Sequence, residues 1–266
     1  MKYALAAFPA PVALTLRFGL AATCLLPWAR HRLGHREAMV GGGALGLIML
    51  VIFALLATGI HHMSAPRCAF LMAMTMVFVQ LAEALRHRRL DPVRGISVVV
   101  SVAGVVLVTG WASEPLSGWD LVVLAAAVLS AMGLGVVHLV SARPGMPPAA
   151  LTFWQLCVLT AGFAIFWLLR RPTGWSWQPG PTAAVVFLGV FPSALAQLMQ
   201  MLYQRYAQPS VAVMIYALKP LFASLLAALL GEHLRGPALI GGAMMVASAF
   251  CAPLIAWRRQ ARTTAS

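Results

Sequence analysis

The chain has 266 residues, of which 61% are apolar and only 9% are charged. A water-soluble domain of this size carries about 25% charged residues, so the composition excludes water as the main solvent. The formal net charge of +13 points first to membrane topology, because cytoplasmic loops collect Lys and Arg, and no nucleic-acid partner is expected.

Runs of roughly 20 apolar residues, each rising about 1.5 Å, match the thickness of the hydrocarbon layer and read as transmembrane helices. In chain order the sequence predicts nine spans, at 9–28, 39–60, 65–85, 93–112, 119–141, 149–170, 181–203, 209–231 and 236–257. Helices are required because each closes its own backbone hydrogen bonds in lipid, and the alternating polarity of a β-barrel strand is missing. The fold class is therefore an all-α integral membrane protein. The opening "MKYALAAFPA" does not read as a signal peptide: its basic start fits, but Pro9 and Pro11 interrupt any apolar core and Arg17 follows.

With the C-terminus in the cytoplasm, twelve basic residues face inside: Arg30, Arg32, Arg36, Arg86, Arg88, Arg89, Arg94, Arg143, Arg205, Arg258, Arg259 and Arg262. Five face outside: Lys2, Arg67, Arg170, Arg171 and Arg235. Arg17 and Lys219 fall within spans. The bias predicts a cytoplasmic C-terminus, with the pair Arg170-Arg171 running against it. Trp111, Trp119, Trp175, Trp177 and Trp257 stand at predicted boundaries, as an interfacial belt does.

Catalytic and metal signatures are missing. The chain contains no H-E-x-x-H, no G-x-S-x-G, no phosphate-cradling loop and no paired carboxylates at usable spacing. Cys24, Cys68, Cys157 and Cys251 are widely spaced within apolar runs and read as small packing residues. Neither a cofactor nor a metal is expected, and His61, His62 and His138 read as satisfied polar groups rather than ligands.

Polar residues inside the spans carry the functional information. Lys219 lies about ten residues from either end of its span, hence roughly 15 Å from each surface. A lysine at that depth is costly unless it is neutral, paired or facing water. Around its helix, Met214, Leu218, Leu221, Phe222, Leu225 and Leu229 share one half. Tyr216, Ala217, Pro220, Ala223, Ser224 and Ala227 share the other, with Lys219 at the border beside Tyr216. Pro220 removes one backbone donor and makes a hinge candidate. No carboxylate lies at matching depth, so Lys219 is read as binding an anionic group of a solute, against the alternative that it snorkels or donates to backbone carbonyls. The intramembrane amides Gln80, Gln155, Gln197 and Gln200 either hydrogen-bond a polar solute or join helices. Gln197 and Gln200, three apart, share a helix face.

An internal repeat is visible. Aligned without gaps, "AFLMAMTMVFVQLAEALRHRRLDPVRGISVVVSVAGVVLV" from Ala69 and "VMIYALKPLFASLLAALLGEHLRGPALIGGAMMVASAFCA" from Val213 place Phe78 on Phe222, Leu90 on Leu234 and Ile96 on Ile240. Each reads as a helix, a short polar turn and a second helix. The predicted topology puts one turn in the cytoplasm and the other outside, as in an inverted repeat.

Through Pro220, Gly231, Glu232 and Gly241, the run "LKPLFASLLAALLGEHLRGPALIGGAMMVAS" resembles the EamA-type permeases of the drug/metabolite transporter superfamily. "PVALTLRFGLAATCLLP" resembles the same family's second helix with its embedded arginine, here Arg17. The resemblance implies an inverted-repeat bundle of five plus five helices, with residues 1–112 as the first half and 113–266 as the second. It also implies that the first of ten helices is missing, through a start assigned too late, a shortened product or a real loss of one cavity wall. The first half departs from the pattern at Met76 and Arg88, where proline and glutamate are expected. On this resemblance Arg17 is a cavity, gating or anchoring residue, while Gly231 and Glu232 form a structural turn in which Glu232 caps free amides.

The function implied is a bacterial inner-membrane permease that exports a small metabolite by alternating access. The metabolite would be an amino acid, another carboxylate-bearing solute or a drug-like compound. The expected partners are that small-molecule substrate and the lipid bilayer, with a homodimer left open. The rivals are a non-transporting remnant or partner subunit and, further off, a membrane-embedded enzyme that modifies lipid.

Overall fold

A computed structural model describes residues 7–63, 68, 71–87, 92–109, 117–173, 175–204 and 206, with isolated positions at 240, 241, 243, 244 and 247. The described chain forms helices and no strand. They are α1 (Ala10–Ala29), continued by a 3-10 turn (Arg30–Arg32), α2 (Arg36–His62), α3 (Thr75–His87), α4 (Pro92–Thr109), α5 (Gly118–Ser141) and α6 (Pro148–Arg170). There follow α7 (Pro179–Leu188), a π-helical turn (Gly189–Leu195) and α8 (Ala196–Gln204). Among the described residues, five segments are long and apolar enough to cross a membrane: Ala10–Arg32, Arg36–Gly59, Gly118–Ser141, Pro148–Arg170 and Pro179–Gln204.

Most predicted spans recur within a few residues. Two differ in kind. The span expected at 65–85 is broken by a turn at Met74, whose N–H reaches Leu71 O at 3.2 Å before α3 begins. The span expected at 181–203 is one membrane-length segment with a π turn inside it, centred on Pro192. Proline has no N–H to donate and its ring crowds the preceding turn, so the wider π loop relieves a clash that a regular helix would meet. The spans expected at 209–231 and 236–257 lie outside the described residues, apart from the isolated helical positions.

The helix ends follow from local chemistry. Pro148 and Pro179 begin α6 and α7, where their missing N–H would have had no helical partner in any case. At the start of α5, Asp120 Oδ2 accepts from the Ser117 N–H at 2.6 Å and from its hydroxyl at 3.2 Å, the side-chain-to-backbone half of a capping box. Arg171 ends α6 in the left-handed region, φ 39°, with its N–H donating to Trp167 O at 2.9 Å. Within the spans, the hydroxyls of Thr15, Ser130, Thr152 and Thr160 each donate to the carbonyl four residues back, at 2.7–2.9 Å. Such back-bonding satisfies a hydroxyl without water.

The chain divides into two compact units, each built from two segments. One comprises Met1–Ala57 and Gly133–Tyr206, the other Thr58–Met132 and Ala207–Ser266. In the first, α1 packs on α6 through Leu14, Phe18, Ala21, Leu25, Leu156, Leu159 and Phe163, all buried, with Cys24 and Cys157 packed against them. Lipid is as apolar as leucine, so close packing rather than water exclusion holds these helices together. Glycine supplies the closeness on α2. A Cβ at Gly46 would lie 2.7 Å from Val158 Cβ and 2.9 Å from Gln155 O, and one at Gly42 would collide with Leu151 O. At one end of this unit Phe8, Trp167, Trp175 and Trp177 form an aromatic cluster with ring centroids 5.4–6.1 Å apart. Trp175 and Trp177 lie on the connection between α6 and α7. In the second unit, Thr75 donates to Ala127 O at 3.3 Å, and His62 stacks on Trp119 at 3.8 Å.

Candidate functional site

Arg17 stands seven residues into α1, hence about 10 Å from its start. Its Nε donates to Ser193 Oγ at 2.7 Å. Ser193 is fully buried and belongs to the π turn, and π turns recur at functional positions because they re-aim side chains that a regular helix would space evenly. The guanidinium also lies 5.2 Å from the centroid of the Phe18 ring and 5.8 Å from that of Phe53. The two rings meet edge to face at 5.2 Å, and Phe163 stacks on Phe18 at 6.0 Å. An arginine within a span costs about 2.5–3.5 kcal/mol on insertion scales. A charged hydrogen bond returns about 1.5–3 kcal/mol and each ring contact about 0.5–2 kcal/mol. Those terms are large enough to hold Arg17 in place.

The backbone beneath this pair is equally close. A Cβ on Gly189, the first residue of the π turn, would meet Arg17 O at 3.0 Å and Leu20 Cδ2 at 3.0 Å. Val185 packs with Val12 and Ala13, while Ala194 joins the cluster that holds Ala21 and Ala22. The segment Pro179–Gln204 thus runs parallel to α1, with Ser193 set against Arg17 and Gln197 one turn farther along.

The described amides divide into two behaviours. Gln200 Nε2 donates to Gln204 Oε1 at 2.9 Å, and Gln204 Nε2 donates to Leu134 O on α5 at 2.9 Å. His138 Nδ1 lies 3.1 Å from Gln204 O. Gln200 and His138 therefore belong to a clasp that joins α8 to α5, which is the helix-joining role open to such an amide. By contrast, Gln155 is 1% exposed, and its Oε1 and that of Gln197 are both buried with no donor reaching them among the described residues. A buried acceptor left in that condition costs about 1–3 kcal/mol. Gln80 lies in α3, with its side chain outside the described set. Tyr216, Lys219, Pro220, Gly231 and Glu232 also lie outside the described residues.

Two participants are absent from the sequence reading. Ser193 gave no signal beyond its neighbour Pro192, a proline inside an apolar run. Gln204 sits where the apolar pattern ends, and its spacing of four from Gln200 was the available clue. A wide apolar depression of about 700 Å³, lined by Trp177, Thr182, Val186, Phe187 and Phe191, opens on the outer face of α7. No candidate residue lines it, and its exposed aromatics suit contact with lipid.

Comparison with known proteins agrees with this membrane-embedded architecture. The model of the EamA-like transporter family matches residues 1–110 and 117–252, nearly the whole chain in two stretches. The chain belongs to the EamA-like transporter family. A solved structure, described only as a crystal structure of a protein, superposes with a TM-score of 0.77. It is 20% identical, with 97% of this chain and 91% of that one covered. At that identity the likeness concerns the fold alone. No curated protein matches the sequence. For this EamA-family chain, a multi-pass membrane protein of a transporter family, the resemblance read from Arg17 and the LGE turn names the right family.

Proposed function

We propose that this EamA-family protein carries a small anionic solute out of the cell across a bacterial inner membrane by alternating access. The two stretches matched by the family model support reading the chain as two repeat halves, 1–112 and 113–266; in this reading the halves would rock about a midplane cavity. The excess of basic residues in one set of loops supports a cytoplasmic C-terminus.

The observation that carries the anionic reading is Arg17, held by Ser193 within an apolar layer. A guanidinium is always charged and presents a planar fork of donors that matches a carboxylate or phosphate. Ser193 acts as a positioning residue by fixing the Nε edge of that fork. Lys219, read from the sequence as a cation near mid-membrane, would bind an anionic group of a solute in its own right. Gly231 and Glu232 would turn the chain after it, and Pro220 would let that helix flex.

Purified full-length protein in liposomes tests this. We expect Arg17→Ala to lower the flux of labelled carboxylates at least tenfold while leaving that of neutral amides within twofold. Lys219→Ala should act in the same direction. Equal loss for both solute classes would overturn the anionic reading. An imposed pH gradient that leaves flux unchanged would exclude proton coupling and leave facilitated export or exchange.

A further inference from the structure

The pair Arg170-Arg171 runs against the charge bias of the loops, so topology does not account for it. Both side chains are exposed, and neither guanidinium has a partner among the described residues. Arg171 also occupies the left-handed region, φ 39°, where glycine is favoured and an arginine is strained. A strained residue that carries an unused charge points to a role beyond the fold.

A ladder of rings joins this helix end to the apolar depression on α7. The Arg171 N–H donates to Trp167 O at 2.9 Å, and the Trp167 ring lies 6.1 Å from that of Trp175. Trp175 lies 5.6 Å from Trp177, which lines the depression. From there the lining grades in polarity. Gln178 and Thr182 bring hydrogen-bonding groups at the start of α7, whereas Ala183, Val186, Phe187 and Phe191 are apolar and exposed. Their spacing keeps them on one face of the segment. From Pro179 to Phe191 that face rises about 18 Å, close to one leaflet of a hydrocarbon layer roughly 30 Å thick.

We propose that this surface is a binding site for one anionic phospholipid, whose phosphate is held by Arg170 and Arg171 and whose acyl chain lies in the depression along α7. A guanidinium pairs with phosphate through two parallel hydrogen bonds, and each cation near a membrane surface strengthens the attraction to anionic lipid about fivefold. Trp175 and Trp177 suit the level of the headgroups. A second copy of the chain fits this face less well. Residues 172–204 contain no Asp or Glu, so a contact through it would offer the arginines no counter-charge.

Native mass spectrometry of the full-length protein in detergent tests this, with phosphatidylglycerol and phosphatidylcholine of identical acyl chains as probes. The wild type should bind the first phosphatidylglycerol at least fivefold more tightly than phosphatidylcholine. In the double variant Arg170→Gln with Arg171→Gly the preference should fall to within twofold, through loss of phosphatidylglycerol affinity alone. Its thermal midpoint without lipid should hold or rise, because glycine relieves the left-handed strain. Ala183→Phe, which fills the depression from an exposed position, should weaken both lipids at least fivefold. Arg30→Gln with Arg32→Gln should leave the preference intact. Equal binding of the two lipids by the wild type, or a preference that survives loss of Arg170 and Arg171, would overturn the proposal. So would a preference lost with Arg30 and Arg32 instead, or an Ala183→Phe variant that alters the oligomeric state and leaves lipid binding unchanged.

Discussion

Removing the Ser193 hydroxyl takes one charged hydrogen bond from Arg17 and leaves the backbone of the π turn in place. Ser193→Ala should therefore destabilise the protein by about 1.5–3 kcal/mol, seen as a lower midpoint in thermal unfolding of the purified protein. It should also weaken carboxylate flux less than Arg17→Ala does, because the cation remains. The buried amides make a sharper contrast. Gln155 is 1% exposed and its Oε1 meets no donor among the described residues. Gln155→Met should be neutral or stabilising in the same melt, since replacing an unsatisfied polar group by an apolar one of similar shape removes a penalty. Gln204→Met should instead cost about 1–3 kcal/mol, because Leu134 O and Gln200 Nε2 lose their partner within packed helices. At this scale the sequence displays which polar residues are out of place in lipid. Arg17, Gln155, Gln197 and Gln200 were legible for that reason. The hydrogen-bond partner of Arg17 was not, because Ser193 is too small and too common within spans to draw notice, and pairing it with Arg17 brings together residues 176 positions apart.

Glycine and proline set the geometry of the elements. The run "GGGALG" at 41–46 announces small residues on α2 without saying which ones meet another helix. The structure separates them. Gly42 and Gly46 face α6 at distances that admit no Cβ, whereas Gly43 has nothing within 4 Å of an added Cβ. Gly46→Ala should thus push α2 from α6 and cost about 1–3 kcal/mol, the range for overpacking. Gly43→Ala should leave stability unchanged or raise it by about 0.5–1 kcal/mol through the better helix former. Paired thermal melts of the two variants check this, and equal effects would mean that packing against α6 is not what selects glycine. Pro192 is the parallel case on the last described span. Its position was visible, but a proline within an apolar run predicts a kink or a hinge without specifying a π turn. The turn itself is seen only in the fold, where its first residue, Gly189, also lies against Arg17 O on α1.

For the whole molecule, the spans were legible because hydrocarbon thickness imposes a length that composition reveals directly. Handedness across the membrane rests on the loops, where the basic residues are unequally divided and Arg170-Arg171 opposes the trend. The structure puts Arg171 at the left-handed cap of α6, a helix end beside the aromatic cluster of Trp167, Trp175 and Trp177. Long cationic side chains at a helix end can reach into a headgroup region, so an outside placement of this pair would be compatible with the proposed cytoplasmic C-terminus. Two exposed positions decide the matter. Gly34 lies in the turn between α1 and α2, and Gln178 lies just before α7. With Cys24, Cys68, Cys157 and Cys251 replaced by alanine, Gln178→Cys should react with a membrane-impermeant maleimide on intact cells. Gly34→Cys should react only after the cells are permeabilised. The reverse pattern would place the C-terminus outside and turn the proposed export reading around. Because both positions flank helices of one compact unit, each on a short connection, their labelling reports the orientation of α1, α2, α6 and α7 together. An orientation error confined to a single span would show instead as both sites labelling from the same side.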